Sequence, residues 1–281
     1  MQPERRDLRF HLPAERINDW HPEGPYVSHF LNTLSVFFPE GERFFIQSVR
    51  HFRDRVTDRD LAEAVTAFIG QEAMHGREHD EYNRRLAEAG YPVEEMEQRI
   101  VRLLERVKRS TPKQAQLAAT IALEHFTAML ANQVLEQQRL LDDAEPHYAR
   151  LWKWHAFEET EHKSVAYDVW NLATGESPAD YAVRVSALVS ATVIFLRHVA
   201  EFYGQMIEAD RSLSRRWRDR ARGYLTLGRF LFGRPGPLRR IVPEWLDYFR
   251  PGFHPWDHDN SHFLADLDAL TADIEAAAEA A

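Results

Sequence analysis

Leu61, Val65, Phe68, Glu72, His75, His79, Tyr82 and Leu86 follow one another at steps of 4, 3, 4, 3, 4, 3 and 4. That period fits one face of an α-helix, and a chain carrying it folds by turning the face inward. Three of the eight members are ionisable, and none is Lys or Arg. Burying an unpaired carboxylate costs several kcal/mol, and unpaired imidazole nitrogens add to the cost. A multivalent cation resolves the conflict, because it favours deprotonated carboxylate and neutral imidazole together.

The same substitution recurs along the chain. Phe38, Glu42, Phe45, Val49 and Phe52 step by four and three, as do Leu117, Thr120, Glu124, Ala128, Ala131 and Leu135. Leu151, His155, Glu159, His162, Ala166 and Val169 form the fourth such face. Glu72/His75 and Glu159/His162 are thus two Glu-x-x-His pairs, each one helical turn apart on one face. In a chain this rich in Glu and His roughly one such pair arises by chance, so the inference needs both. Two pairs, plus a lone glutamate from each of two further helices, make the ligand set of a dinuclear metal site enclosed by helices. The candidates are Glu42, Glu72, His75, Glu124, Glu159 and His162. Spacing leaves a seventh ligand open between His79, seven residues beyond Glu72, and His155, seven before His162. Glu78, His125, Glu158 and Glu161 lie beside these faces and read as supporting or surface groups. The competing reading is a set of buried ion pairs, such as Glu124 with Arg77 or Glu42 with a lysine.

No segment alternates with a strand period, so the expected class is all-α. The punctuation predicts a first helix over about residues 30–56, disturbed near Pro39 and Gly41. A second runs from a Thr57 or Asp58 cap to Gly90, and a linking helix covers about 93–109. The third starts at Pro112 and reaches about 141; the fourth opens at Pro146 and stops near Gly175. A fifth covers about 178–210, followed by segments at about 212–232 and 260–280 around a Pro/Gly-rich stretch.

The chain has no cysteine, so oxygen and imidazole must hold any metal, which suits iron, manganese or zinc. Its first ten residues lack an apolar signal core, and Val183–Ala200 is interrupted by Arg184, Arg197 and His198; the default location is cytoplasmic. A net charge of -9 argues against nucleic-acid binding. Residues 211–240 nevertheless carry ten arginines against one acid, a local charge of +9 that leaves -18 elsewhere. This is either a solvated face paired with acidic neighbours or a docking surface for an anionic partner, substrate or membrane, given Tyr224, Leu225, Phe230, Leu231 and Phe232 among the arginines. The C-terminal hundred residues would complete the helical core, form a homodimer surface or cover the pocket. His254, Asp257 and His258 are not expected to bind metal, since no helix fixes their spacing; a lid is the better expectation there.

In order and spacing, the six ligands resemble the ferritin-like di-iron carboxylate superfamily. The triplet His155-x-x-x-Glu159-x-x-His162 resembles the p-aminobenzoate N-oxygenase type, which implies His155 over His79 as the extra ligand. The phrases FFPEGERFF, QEAMHGREH, ALEHFTA, HAFEETEHKSVAYDVW and FRPGFHPW resemble a bacterial family described as predicted metal-dependent hydrolases. The first resemblance implies a ferritin-like four-helix bundle over residues 30–175, preceded by an irregular arm (1–29) and followed by a helical extension (176–281). It implies two iron ions, with Glu42 and His75 serving one, His162 the other, and Glu72 or Glu124 bridging. The leading functional expectation is a di-iron enzyme that uses O₂ and an electron donor to oxidise or oxygenate, including N-oxygenate, a small organic substrate. Phe38, Phe45, Phe68, Tyr82 and Phe157 would make that substrate apolar or aromatic. The alternatives are hydrolysis by a dinuclear site that activates water, and a non-enzymatic iron-binding protein.

Overall fold

Proline and capping carboxylates start most of the helices. The computed structural model describes residues 2–175, 177–233 and 236–279. Glu176 at the expected extension boundary, Arg234 of the basic segment, and Ala280 and Ala281 at the chain end lie outside that description.

The predicted first helix is two. Helix α1 spans Pro25–Ser35 and α2 spans Phe38–Arg50. Pro39 has no N–H to offer the Ser35 carbonyl, so the chain turns at Val36–Phe37 and Pro39 enters the first turn of α2. Helix α3 (Arg59–Glu88) is capped by the Asp58 carboxylate, which accepts from the Leu61 N–H at 2.8 Å. It ends before Gly90, whose φ of 94° is the left-handed conformation that stops a helix. Helices α4 (Val93–Ser110) and α5 (Lys113–Glu136) follow, α5 ending a turn early so that Leu140 and Leu141 can bury as a separate 3-10 turn. The predicted fourth helix also divides, into α6 (Pro146–His162) and α7 (Val165–Thr174). No proline or glycine marks that break. It falls at Lys163, whose ammonium donates to the His258 carbonyl (2.7 Å) and Asn260 Oδ1 (2.6 Å). Helices α8 (Pro178–Ala209), α9 (Trp217–Phe232), α10 (Pro237–Arg240), α11 (Val242–Asp247) and α12 (Leu267–Glu279) complete an all-helical chain with no strand among the described residues.

Helix α2 packs along α3, and α5 along α6 and α7; α2 also meets α5, and α3 meets α6 and α7. These rods enclose the centre of the molecule. Helix α8 lies along α5 and α1, α9 crosses α1, and α12 rests on α6. Two glycines permit close approaches. A Cβ on Gly223 would sit 2.1 Å from the Tyr26 ring, which fixes glycine where α9 crosses α1. One on Gly76 would come within 3.1 Å of Glu42 Oε2.

The N-terminal arm is irregular but firmly packed: Leu8, Phe10, Leu12, Ile17 and Trp20 are buried. Trp20 stacks on Tyr148 with centroids 5.1 Å apart. Helix α8 is long and apolar enough to cross a membrane by length and composition, with the polar residues that interrupt it included. Arg184, one of them, is buried, and its guanidinium donates to the Tyr248 and Arg250 carbonyls. Part of the basic segment is paired, with Arg215 and Arg220 on Glu208 and Arg240 on Glu136. The stretch around residues 249–257, expected to cover the bundle, packs beside α5, where Pro255 borders a small pocket that reaches Glu124. Its Phe253 packs on His125, Tyr167 and Tyr248.

Candidate metal centre

The inward faces of four helices bring all seven leading candidates to one place. Glu42 comes from α2, Glu72 and His75 from α3, Glu124 from α5, and His155, Glu159 and His162 from α6. All are buried. Their ligand atoms form three overlapping groups, each with atoms within 4.8 Å of one another: Glu42, His75 and His155; Glu72, His75 and Glu159; Glu72, Glu124 and His162. His162 Nε2 lies 3.1 Å from Glu72 Oε1 and 3.6 Å from both Glu124 Oε2 and Glu159 Oε2. His155 Nε2 lies 2.9 Å from Glu159 Oε1 and 4.0 Å from Glu42 Oε1.

Buried polar atoms normally find hydrogen-bond partners. Here both oxygens of Glu42, Glu72 and Glu124, with Glu159 Oε2, His75 Nδ1 and His162 Nε2, have none. Among the described residues no Lys or Arg pairs with any of these four glutamates, so the ion-pair reading fails. Arg77 binds Asp7 and Glu78 instead.

The outer hydrogen bonds explain which imidazole nitrogen faces inward. His75 Nε2–H donates to Glu158 Oε2 at 3.0 Å, leaving Nδ1 for the centre. Gln71 donates its amide to Glu161 (2.6 Å) and to the Glu4 carbonyl, so its oxygen accepts from His162 Nδ1–H at 3.0 Å and leaves Nε2. Ser35 Oγ donates to Asn83 Oδ1 and therefore accepts from His79 Nδ1–H at 2.9 Å. His79 Nε2 must then accept from His155 Nδ1–H at 2.8 Å, and the His155 Nε2 lone pair points at the carboxylates. Three imidazoles have their protons tied outward and their lone pairs turned in, the arrangement that metal-binding histidines require. His79 has both nitrogens engaged and braces His155. Arg6, in the arm, closes the outer ring by pairing with Glu158 (3.3 Å) and Glu161 (2.9 Å).

Protons compete for the same inward positions, and at His162 the surrounding carboxylates favour a protonated ring. Burial, then the neighbouring carboxylates, push Glu42 and Glu124 well above the usual carboxylate range. Burial also raises Glu72, with His162 pulling the other way. Burial pushes Glu159 up as well, but His155 and His162 more than offset it and hold that carboxylate well below. His75 is driven well below the usual imidazole range by burial and by His155. Burial would lower His162 too, yet Glu159 and Glu72 outweigh it and raise that group. Outside this ring, burial lifts Glu158 to about 8 against the pull of Arg6. Protons and cations compete for such a centre, and a divalent cation neutralises the mutual repulsion of several carboxylates at once.

Helical spacing places these seven groups together, and Glu158, Glu161 and His79 were among the expected supporting groups, whereas Gln71, Ser35 and Arg6 were not. Gln71 precedes Glu72 directly, and its position one turn before His75 is a usable signal. Arg6 gave none, since it stands in irregular chain far from the helices it joins. Glu158 and Glu161 support the centre from outside, while His125 meets the Glu244 carbonyl at 3.1 Å. His254 pairs with Asp168 at 3.0 Å and Asp257 pairs with Arg250. Of the five expected lining aromatics, Phe38 and Phe45 border a cavity of about 580 Å³ that reaches Glu42, His155 and Glu159. Phe68 stands edge-on to His162. Tyr82 instead donates to Asn32 Oδ1 at 2.6 Å, and Phe157 packs with Ala131 and Leu135.

A helical chain with a buried cluster of convergent carboxylate and imidazole groups is a candidate metal-binding protein. The chain belongs to the family of predicted metal-dependent hydrolases, which it matches over residues 4–259. Searches of curated proteins and of solved structures returned no match. The family corrects the leading functional expectation: hydrolysis, the alternative, takes the place of O₂-dependent oxidation or oxygenation. The physical reason for the error is that a mixed carboxylate–imidazole set suits both redox and Lewis-acid metals, so the ligand types do not choose the chemistry.

Proposed function

We propose that this chain is a metal-dependent hydrolase in which residues 30–175, as a ferritin-like four-helix bundle, hold a dinuclear divalent centre. Glu42, His75 and His155 would hold one ion, and Glu124 and His162 the other, with Glu72 and Glu159 between them. Glu72 is the better bridging candidate, because it belongs to groups on both sides while Glu124 belongs to one. Zinc, manganese and ferrous iron all suit the donor set. Bound divalent ions supply Lewis acidity, lowering the pKa of a water and polarising a substrate carbonyl or phosphoryl oxygen.

The protein's own side chains do the rest. Glu158 and Gln71 hold the protons of His75 and His162 on the outer side, keeping a lone pair available within. His79 does the same for His155 through the Ser35 relay. Phe38 and Phe45 keep bulk water from the cavity side, which strengthens every charge interaction inside. The observation that carries the reading is the set of buried carboxylate and imidazole atoms with no hydrogen-bond partner, converging in a chain of this family.

Metal analysis followed by ester, amide and phosphoester assays tests it. Stoichiometric divalent metal is expected, with turnover abolished by chelation, restored by zinc or manganese, and unchanged under anaerobic conditions. Metal-free protein of full stability, or turnover that demands O₂ and a reductant, would overturn the proposal.

A further inference from the structure

The cavity that touches Glu42, His155 and Glu159 runs outward between α2, α4, α5 and α8. Its far end is bordered by Val183, Ser190 and Ile194, all exposed on α8. Between the two ends the wall is apolar, formed by such residues as Phe37, Leu104, Leu123, Phe126 and Leu130. Most polar side chains along it are occupied with their own helices, while Gln133, whose Oε1 accepts from Gln137 Nε2, and Ser190 also border it. Thr127 Oγ1 donates to the Glu124 carbonyl, Thr111 Oγ1 to Val107, and Ser186 Oγ to Val183. The His198 Nδ1–H is spent on Ile194.

Such a cavity is apolar along most of its wall and gathers its ionisable groups Glu42, His155 and Glu159 at one end. With about 580 Å³ open to it, the cavity has room for far more than a short acyl group. We propose that the substrates are long-chain aliphatic acyl compounds, amides or esters with a small leaving group. The acyl carbonyl would lie at Glu42, His155 and Glu159, and the chain would trail along α5 to the opening on α8. This rests on the hydrolase reading and adds the substrate class. In the reaction the water oxygen bonds to the acyl carbon and the C–N or C–O bond breaks. One water proton leaves on the ammonia or small alcohol, and a fatty acid remains in the cavity. The leaving group has to be small because Phe38, Trp152 and His155 crowd the polar end.

Two measurements on the metal-loaded protein test this: turnover of methyl esters and primary amides from four to sixteen carbons, and binding of dodecanamide followed by titration calorimetry. Two variants narrow the cavity at lining residues outside the metal set, Ala119→Phe on α5 and Ser190→Trp on the exposed face of α8. The kcat/KM is expected to rise at least about a hundredfold from four to twelve carbons, since as few as two methylenes at about tenfold each would supply that gain. Ala119→Phe should remove at least about tenfold of that gain, while leaving four-carbon turnover and metal content unchanged. Equal turnover of short and long substrates, with no dodecanamide binding, would sink the acyl-chain assignment and leave the hydrolase reading standing. Dodecanamide binding that the variants abolish, with no ester or amide cleaved, would keep the assignment and sink the hydrolase reading.

Discussion

The central cluster and the segment around His254–His258 use the same residue types and reach opposite ends. In the segment, His254 finds Asp168, Asp257 finds Arg250, and His258 Nε2 lies 3.0 Å from Asp247 Oδ2. These groups are half-buried or exposed, and a carboxylate or guanidinium stands beside each, while His258 Nε2 lacks a hydrogen bond among the described residues. In the cluster four carboxylates and three imidazoles are buried, and most of their inward atoms meet only one another. Histidine and carboxylate side chains do not make a metal site by being close. Burial that leaves lone pairs convergent and without donors does.

The largest effect that can break this contrast is loss of the shared carboxylate. Glu72→Ala should lose most of the bound metal and all turnover, read by metal analysis and activity. Chelation should then lower the melting temperature of the parent protein but not of the variant. At metal a thousandfold above Kd the stabilisation at stake is about 4 kcal/mol. Retained metal in Glu72→Ala would place the ions elsewhere.

Next come the outer partners that the segment lacks. Glu158→Gln and Gln71→Leu leave every inward atom in place but disturb what holds His75 and His162. Metal affinity should fall about 10–100-fold, measured by competition with a chelator. Gly76→Ala presses its new methyl on Glu42, 3.1 Å away, and should weaken metal binding by a smaller factor, about tenfold or less. No change in either series would mean that inward geometry alone suffices.

His29 and Asp210 sharpen the contrast from another side. They are as buried as the cluster, but His29 Nε2 meets Asp210 Oδ2 at 2.8 Å and the Ser212 N–H and hydroxyl both donate to Asp210 Oδ1. Burial pushes the Asp210 carboxyl up, yet these hydrogen bonds hold it down at about 2, below its ordinary 3.8. A depressed carboxyl pKa contributes stability that is present above the ordinary value and lost as pH falls towards the folded one. That contribution, about 2 kcal/mol, should disappear between about pH 4 and pH 2. Acid unfolding of Asp210→Asn should lack it, with metal content unchanged. The smallest effect belongs to the segment itself. The double variant His254→Ala/His258→Ala should keep its metal and lose no more than about 1 kcal/mol of stability, as exposed pairs usually do. Loss of metal there would erase the distinction between the two regions.

Much of the site was legible because helical periodicity is local. The 4,3 spacing that turns Phe68 inward turns Glu72 and His75 inward too, whatever the rest of the chain does. The Asp58 cap and the Gly90 stop were equally readable, since both act within a turn of the residue concerned. The break at Lys163 was not, because its cause stands in the C-terminal segment at His258 and Asn260. The tautomer of His155 depended on Ser35, through His79, and the setting of His75 depended on Glu158 and Arg6. Spacing could not weigh His79 against His155 for the same reason: the hydrogen bonds that separate them cross between helices.

The residue order alone fixed the all-helical class, the inward glutamates of four helices, and oxygen and nitrogen as the donors in a chain without cysteine. Tertiary packing decided which lone pairs face the centre, where helices break, and that an apolar passage leads from Glu42 to α8. Those outcomes rest on groups far apart in the chain meeting at distances of a few ångströms, and a local repeat carries no information about which distant partner arrives.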